Sequence, residues 1–307
     1  MLISIAIPCY NSEKTIAKVV EMTYQEFLSR DDYDCEFVLV NDGSADATFH
    51  EITRLCKQYP FVKGIDLLRN FGQHNALLAA LHYVNGDYVL GMDDDMQTHP
   101  SQIFKLIDKI REGYDLVYGR YEKKENSPIK NLSSRINMIS SRILLGRPKQ
   151  IVSSNFWIIT KQIAQEAVLY DSYNPYIDGI FYRITHNIAN VNVEHHKREN
   201  GSSGYTFRKL LRLWMAYWNY SVVPLRVSSV LGFCIAFLGF CATIVLIIQK
   251  ILDPTVVLGW SSLACLLCLF FGITLMLIGV LGEYIGKIIL TVNHTPQFII
   301  RKTINTN

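Results

Sequence analysis

The sequence predicts an α/β domain on a mostly parallel, doubly covered sheet, followed by a two-helix transmembrane hairpin. Two patterns carry this expectation. Over residues 1 to about 120, short runs apolar on both faces alternate with helical patterns, as strands buried between two helix layers require. After about residue 226 come two long uncharged stretches, which give this 307-residue chain a positive mean hydropathy of +0.15.

The elements follow in order. Leu2–Pro8 reads as a buried strand, and Glu13–Ser29 as a helix capped by Ser12. Glu36–Val40 is a second strand. Asp42-Gly43-Ser44 forms a turn, and Asp46 can cap the next helix. Val62–Leu67 is the third strand, Gln73–Val84 a helix and Tyr88–Met92 the fourth strand. Ser101–Glu112 is a helix and Leu116–Tyr118 the fifth strand. Glu122–Lys130 is charged and reads as a loop. Beyond it the pattern suggests a helix near Asn131–Leu145 and strands near Phe156–Ile159 and Val191–His195.

The rest of the chain has a different character. In 206–225, Arg208, Lys209 and Arg212 alternate with apolar residues, Trp214 and Trp218 among them, as in a helix lying at a membrane interface. Val227–Gln249 and Pro254–Gly282 carry no charge, and the short turn between them implies two spans at about 227–249 and 256–282. In this hairpin of 226–284, Arg226 precedes the first span, and Lys287, Arg301 and Lys302 follow the second. Positive charge on both flanks places both ends in the cytoplasm, with 285–307 as a cytoplasmic tail. No basic region precedes the strand at Leu2, so the domain of 1–205 is expected to stay in the cytoplasm. A net charge of +3 argues against nucleic acid as a partner. The seven cysteines are dispersed or lie within apolar runs, so they form no disulfide framework. Hairpins of this kind can pack together in a bilayer, which leaves a homo-oligomer open.

Ligands on such sheets bind beyond the carboxyl ends of the strands, where the unusual polar residues of this chain fall. Strand four runs into Asp93-Asp94-Asp95. In an extended stretch Asp93 and Asp95 point to one side and Asp94 to the other, so two hard oxygen ligands suit Mg²⁺ or Mn²⁺ bridging a diphosphate. Strand one ends in Pro8-Cys9-Tyr10-Asn11, where Tyr10 could stack on a base. Strand two ends in Asn41-Asp42-Gly43-Ser44, where Asp42 is either a nucleoside ligand or a turn former.

These pieces resemble the family-2 glycosyltransferases of GT-A fold, and within them the polyprenyl-phosphate branch. Dolichyl-phosphate mannose synthases, bactoprenol glucosyltransferases and undecaprenyl-phosphate aminoarabinose transferases belong to that branch. The early matching stretches are Ile7–Asn11, Val40–Asp46 and Arg69–Ala76. Gly86-Asp87 follows, leading to Met92–Gln97, and Gly113–Asp115, leading to Tyr118–Arg120. The late ones are Arg198–Tyr205 and Leu281–Lys287. The resemblance implies that Pro8, Tyr10, Asn11 and Asp42 hold the nucleoside of a nucleotide-sugar donor, and that Asn70 and Gln73 shape its site. Asp93 and Asp95 would hold metal and diphosphate. Asp95, Gln97 and Arg120 would serve the reaction, and Arg120, Arg198 and Ser202 would face the acceptor phosphate.

Four positions depart from the family pattern. Asn41 stands where an acid is usual. Asn155 and Trp157 replace the acid and arginine of a G-D-F-R-like stretch. Gly204 replaces a lysine. The implied function is transfer of a sugar to an undecaprenyl-type phosphate at the cytoplasmic membrane, with inversion, for envelope glycans. Two alternatives stand beside it. One is transfer to a hydroxyl of a lipid-linked sugar, with Asp178 as base. The other is a non-catalytic scaffold for a lipid-sugar flippase. The chain carries no Q-x-x-R-W motif of a polymer synthase.

Overall fold

The computed structural model describes residues 1–96, 98–121, 140–171, 175–194, 223–252, 259–293 and 295–306. They fall into two compact units, Met1–Tyr217 with His294–Asn307, and Trp218–Asn293.

The first unit is built on one eight-stranded sheet. The chain runs β1 (Leu2–Cys9), α1 (Ile16–Leu28), β2 (Asp34–Asn41), α2 (Thr48–Gln58), β3 (Val62–Leu67), α3 (Gln73–Leu81) and β4 (Tyr88–Gly91). A 3₁₀ turn at Pro100–Gln102 leads into α4 (Ile103–Ile110), then β5 (Leu116–Tyr121), β6 (Trp157–Thr160), α5 (Lys161–Ala167), α6 (Ile177–Ile184) and β7 (Ile188–Val193). The last strand, β8 (Ile300–Ile304), comes from the end of the chain. The strand order is β7-β5-β6-β4-β1-β2-β3-β8. β1, β2, β3 and β4 are mutually parallel, as are β5 and β7, whereas β6 and β8 run antiparallel to their neighbours. The expected mostly parallel sheet is therefore present, with two antiparallel insertions.

The strand order reverses at β1: β2 and β3 extend to one side and β4 to the other. The carboxyl ends of β1, β2 and β4 thus meet at a topological switch point, where open α/β sheets leave a crevice. Beneath it the core is dry. Ile3, Ile5, Ile7, Phe37, Leu39 and Leu90 are fully buried, and α1 contributes Ile16, Val19 and Val20 to the same cluster.

Two expectations about caps resolve differently. Asp46 stands one residue before the α2 N-cap, Ala47, and its carboxylate accepts from the Thr48 amide at 3.1 Å. Ser12 does not cap α1, which begins only at Ile16. Its hydroxyl donates to Asp94, and its carbonyl accepts from Thr15 and Ile16 in a preceding turn.

The second unit holds α7 (Val223–Leu252) and α8 (Trp260–Val292). Among the described residues, the stretch Phe270–Val292 of α8 is long and apolar enough to cross a membrane, with mean hydropathy 1.8 over 23 residues. Residues 285–307 are more than a tail: α8 continues to Val292, and β8 joins the sheet of the first unit.

Candidate active site

At the switch point lies a cleft of about 280 Å³ lined by Pro8, Cys9, Tyr10, Asp42, Asn70, Gly72, Gln73, Asp93, Asp94, Asp95 and Asn155. The sequence-expected donor residues Pro8, Tyr10, Asp42, Asn70, Gln73, Asp93 and Asp95 therefore share one cavity, although 87 positions separate the first from the last. Tyr10 is half-exposed at the mouth, so its ring face is available for stacking.

Asp42 is buried at the end of β2. Its two oxygens accept from the Phe71 amide at 2.7 Å and the Gly72 amide at 2.9 Å. Burial raises the Asp42 pKa, and the two amide donors act against that shift. The backbone permits this approach because residue 43 is glycine. Its φ is +62°, and a Cβ there would meet the Arg69 carbonyl carbon at 2.3 Å. Asp42 is thus both a turn residue and the anchor of the loop from Arg69 to Gly72.

Asn11 occupies a different place from the one expected. Its amide donates to Ser44 Oγ at 3.0 Å, and its side-chain oxygen accepts from the Ala45 amide at 3.1 Å. It binds the loop after β1 to the loop after β2 and is not among the cleft-lining residues.

The three aspartates also depart from simple alternation. Asp94 does not point away: it lines the cleft with its neighbours. The chain bends at residues 94–96, and Met96 adopts φ +60°, so the two-residue period of an extended strand no longer applies. The Asp94 carboxylate accepts from the Tyr10 amide at 3.2 Å and from the Ser12 hydroxyl. Burial pushes its pKa up. Asp93 accepts from two amides, Gln73 Nε2 at 2.8 Å and Asn155 Nδ2 at 2.9 Å. Asn155 thus enters the site as a partner of Asp93. The sequence marked it only as a departure.

Trp157, the other departure, belongs to the core. It is 1% exposed, pairs in register with Gly91 and packs on Phe181 with ring centroids 5.0 Å apart.

Arg120 lies one residue before the end of β5, is exposed, and is not among the residues lining the cleft. Gln97, Arg198 and Ser202 lie outside the described residues. Asp178 is buried on α6, where its oxygens accept from Tyr118 Oη at 2.7 Å and Tyr176 Oη at 3.1 Å. Burial raises its pKa to about 6. It is not among the cleft-lining residues either.

Asp93 and Asp95 offer hard oxygen donors of the kind Mg²⁺ and Mn²⁺ prefer. No group of three or more His, Cys, Asp or Glu that could hold a metal occurs among the described residues. Such a pair fits a cation that takes its remaining ligands from substrate phosphates, and does not fit a closed protein cage.

Comparison with known proteins agrees with this layout. Residues 4–167 match the family model for glycosyl transferase family 2. An uncharacterized glycosyltransferase of Bacillus subtilis is 30% identical over 98% of this chain and 93% of its own. The bactoprenol glucosyl transferase of Shigella phage SfII is 30% identical over 99% of this chain and 98% of its own. The undecaprenyl-phosphate 4-deoxy-4-formamido-L-arabinose transferase of Photorhabdus laumondii is 28% identical over 99% and 95%. Among solved structures, mannosyl-3-phosphoglycerate synthase of Rubrobacter xylanophilus superposes with TM-score 0.52 at 16% identity, covering 75% of each chain. Glucosyl-3-phosphoglycerate synthase of Mycobacterium tuberculosis, crystallised with Mn²⁺, UDP and phosphoglyceric acid, gives 0.50 at 18% identity over 76% and 78%. The sheet with its cleft at the switch point is the GT-A fold, and the chain belongs to glycosyl transferase family 2.

Proposed function

We propose that this glycosyltransferase moves a sugar from a nucleotide-sugar donor to a polyprenyl phosphate of undecaprenyl type at the cytoplasmic face of the membrane. The observation that carries the reading is the convergence of Tyr10, Asp42, Gln73 and Asp93–Asp95 in one cleft at the switch point. Two relatives alike over nearly the whole chain bear names of polyprenyl-phosphate sugar transfer, which supports the acceptor.

The nucleoside lies against Tyr10 and the loop that Asp42 anchors. Asp93 and Asp95 would hold Mg²⁺ or Mn²⁺ beside the donor's diphosphate. When bound, the metal stabilises charge on the departing nucleotide. An oxygen of the lipid phosphate attacks the anomeric carbon. The new C–O bond forms as the bond to the diphosphate oxygen breaks, and the nucleoside diphosphate leaves with the electron pair. One displacement inverts the anomeric centre. A phosphate monoester, with a second pKa of about 6, is largely dianionic at neutral pH and needs no general base. That suits this chain, because both Asp178 oxygens already accept phenolic protons. A hydroxyl acceptor would need the free base that Asp178 does not offer. Arg120, Arg198 and Ser202 are assigned to the acceptor phosphate, where guanidinium groups offset repulsion from the diphosphate.

The lipid acceptor also accounts for the second unit. The Phe270–Val292 stretch is unburied and, up to Gly282, uncharged, as a bilayer span is; Glu283 and Lys287 fall in its last turns, at the expected cytoplasmic end. The hairpin of α7 and α8 leaves and re-enters the same catalytic unit, since β8 pairs with β3. Two spans satisfy that connection and put both flanks on one side, which the basic residues mark as cytoplasmic.

The deciding experiment is nucleotide release by the purified full-length chain in detergent. It is run with Mg²⁺ or Mn²⁺ and a panel of nucleotide sugars, with and without undecaprenyl phosphate. Release that requires the lipid and disappears in Asp95→Asn is expected. Donor binding without lipid-dependent release would move the acceptor to a hydroxyl. No donor binding at all would leave the scaffold reading.

A further inference from the structure

We infer that Arg301, on the strand that follows the hairpin, is a positioning residue for the donor pocket and acts through Asp66 and Asn41. This rests on the donor reading of the cleft given above.

β8 pairs with β3 with a break in register. Asp66 lies opposite Lys302 and Leu67 opposite Ile300, so Arg301 is an extra residue facing no partner. A bulge of this kind bends an edge strand and re-aims the side chain it carries. Here the guanidinium turns onto β3. One nitrogen donates to Asp66 Oδ2 at 3.2 Å and the other to the Leu68 carbonyl at 2.8 Å.

Both contacts lead to the cleft. Asp66 is 3% exposed at its side chain, so its carboxylate needs compensation, which Arg301 supplies. The other oxygen of Asp66 accepts from Asn41 Nδ2 at 2.7 Å, and Asn41 Oδ1 in turn accepts from the Ser44 amide at 3.3 Å. Asn41 immediately precedes Asp42. On the second route, the Leu68 amide donates to the carbonyl of Ile299, the residue before β8, at 2.8 Å. The next residues, Arg69–Gly72, form the loop whose Phe71 and Gly72 amides bind Asp42. One arginine thus holds the end of β3 directly and reaches β2 through the Asp66–Asn41 bond, the two strands from which the Asp42 anchorage springs. The far end of β8 is pinned separately by Asn305, which donates to the carbonyls of Cys56 and Val62. Loss of Arg301 alone should therefore leave β8 seated.

The test uses the full-length chain in detergent as wild type, Arg301→Gln, Arg301→Lys and the double variant Asp66→Asn/Arg301→Gln. Hydrogen exchange is followed without nucleotide, and affinity is measured for UDP, GDP and dTDP with Mn²⁺. In Arg301→Gln, exchange should accelerate at Ser44 and across 69–73, and the wild type's preferred nucleotide should bind about tenfold more weakly. Turnover should show a raised donor KM with kcat nearly kept. Lysine should restore part of the affinity. The double variant should be no weaker than Arg301→Gln, because it removes the unpaired buried charge as well. Uniform acceleration of exchange with unchanged nucleotide affinity would reduce Arg301 to a general clasp and overturn the inference. If the wild type itself binds no nucleotide, the donor reading fails and this inference with it. Exchange confined to Ser44 and 69–73 would then still establish the relay from Arg301 as a structural fact.

Discussion

Asn155 Nδ2 lies 2.9 Å from Asp93 Oδ2, across 62 positions of sequence, while Gln73 holds the other oxygen at 2.8 Å. The first of the three aspartates therefore sits between two neutral amides. A carboxylate at position 155 would face Asp93 at hydrogen-bond distance, and the two like charges would repel or share a proton. Asn155→Asp is expected to lower kcat/KM for the donor by about tenfold, equivalent to roughly 1.4 kcal/mol. Raised Mn²⁺ should recover part of the loss, since a cation offsets the added charge. Steady-state kinetics across a Mn²⁺ series checks this; unchanged kinetics would mean that Asn155 does not act on Asp93.

The contact of Ser12 with Asp94 ties the loop carrying Tyr10 to the loop carrying the acidic residues. Removing the hydroxyl leaves a half-buried carboxylate with one donor fewer, at a cost of about 1 kcal/mol. Ser12→Ala is therefore expected to lower stability by that amount and to weaken nucleotide binding, because Tyr10 loses its fixed neighbour. Ser12→Thr, which keeps a hydroxyl, should retain most of both. Thermal shift and nucleotide titration of the two variants check the pair.

Most of the parallel strands were legible because their runs are apolar on both faces; β3 is interrupted by the buried Lys63 and Asp66. Val62–Leu67 forms as expected, and α3 begins at Gln73 as expected. What escaped the sequence depends on partners far away in it. Ser12 has the chemistry of a cap, yet its hydroxyl goes to a carboxylate 82 positions on. Asp94 escaped because alternation holds only while a strand stays extended, and the chain bends directly after β4. Asn155 and Trp157 stood out as substitutions, but their reasons, Asp93 and Gly91, became visible only once β6 lay beside β4. β8 was read as tail because Ile300–Ile304 is short and polar at its centre, and its partner strand lies more than 200 residues earlier.

Gly91 and Trp157 illustrate that kind of dependence and give a stability prediction. A Cβ at residue 91 would lie 2.3 Å from the indole ring, which has no room to retreat in a fully buried layer. Gly91→Ala is expected to destabilise the fold by about 1–3 kcal/mol through overpacking, with displacement of the adjoining Met92-Asp93. Gly91→Ala combined with Trp157→Leu should recover stability relative to Gly91→Ala alone. Chemical denaturation of both variants tests the coupling, and simple additivity would contradict it.

His74 and Asp178 predict opposing pH dependences within one buried network. The His74 ring packs edge-on against Tyr176 with centroids 4.6 Å apart, and Tyr176 donates to Asp178. Burial lowers the His74 pKa from 6.5 to about 4, so the folded protein resists protonation there. Its contribution is complete above pH 6.5 and is lost as pH falls toward 4, amounting to roughly 3 kcal/mol. For Asp178 burial acts in the other sense, raising the pKa from 3.8 to about 6. That contribution is complete below pH 3.8 and is lost as pH rises through 6, again roughly 3 kcal/mol. Between pH 4 and 6 the two slopes oppose each other in the wild type. Relative to it, His74→Leu should gain stability as pH falls across that window, and Asp178→Asn should lose it. Denaturant midpoints at several pH values separate them, and parallel curves for all three proteins would refute the assignment. Turnover of Asp178→Asn at neutral pH bears on the acceptor as well. With a lipid phosphate as nucleophile it should stay within about threefold of wild type, whereas loss of a true general base costs about a hundredfold or more.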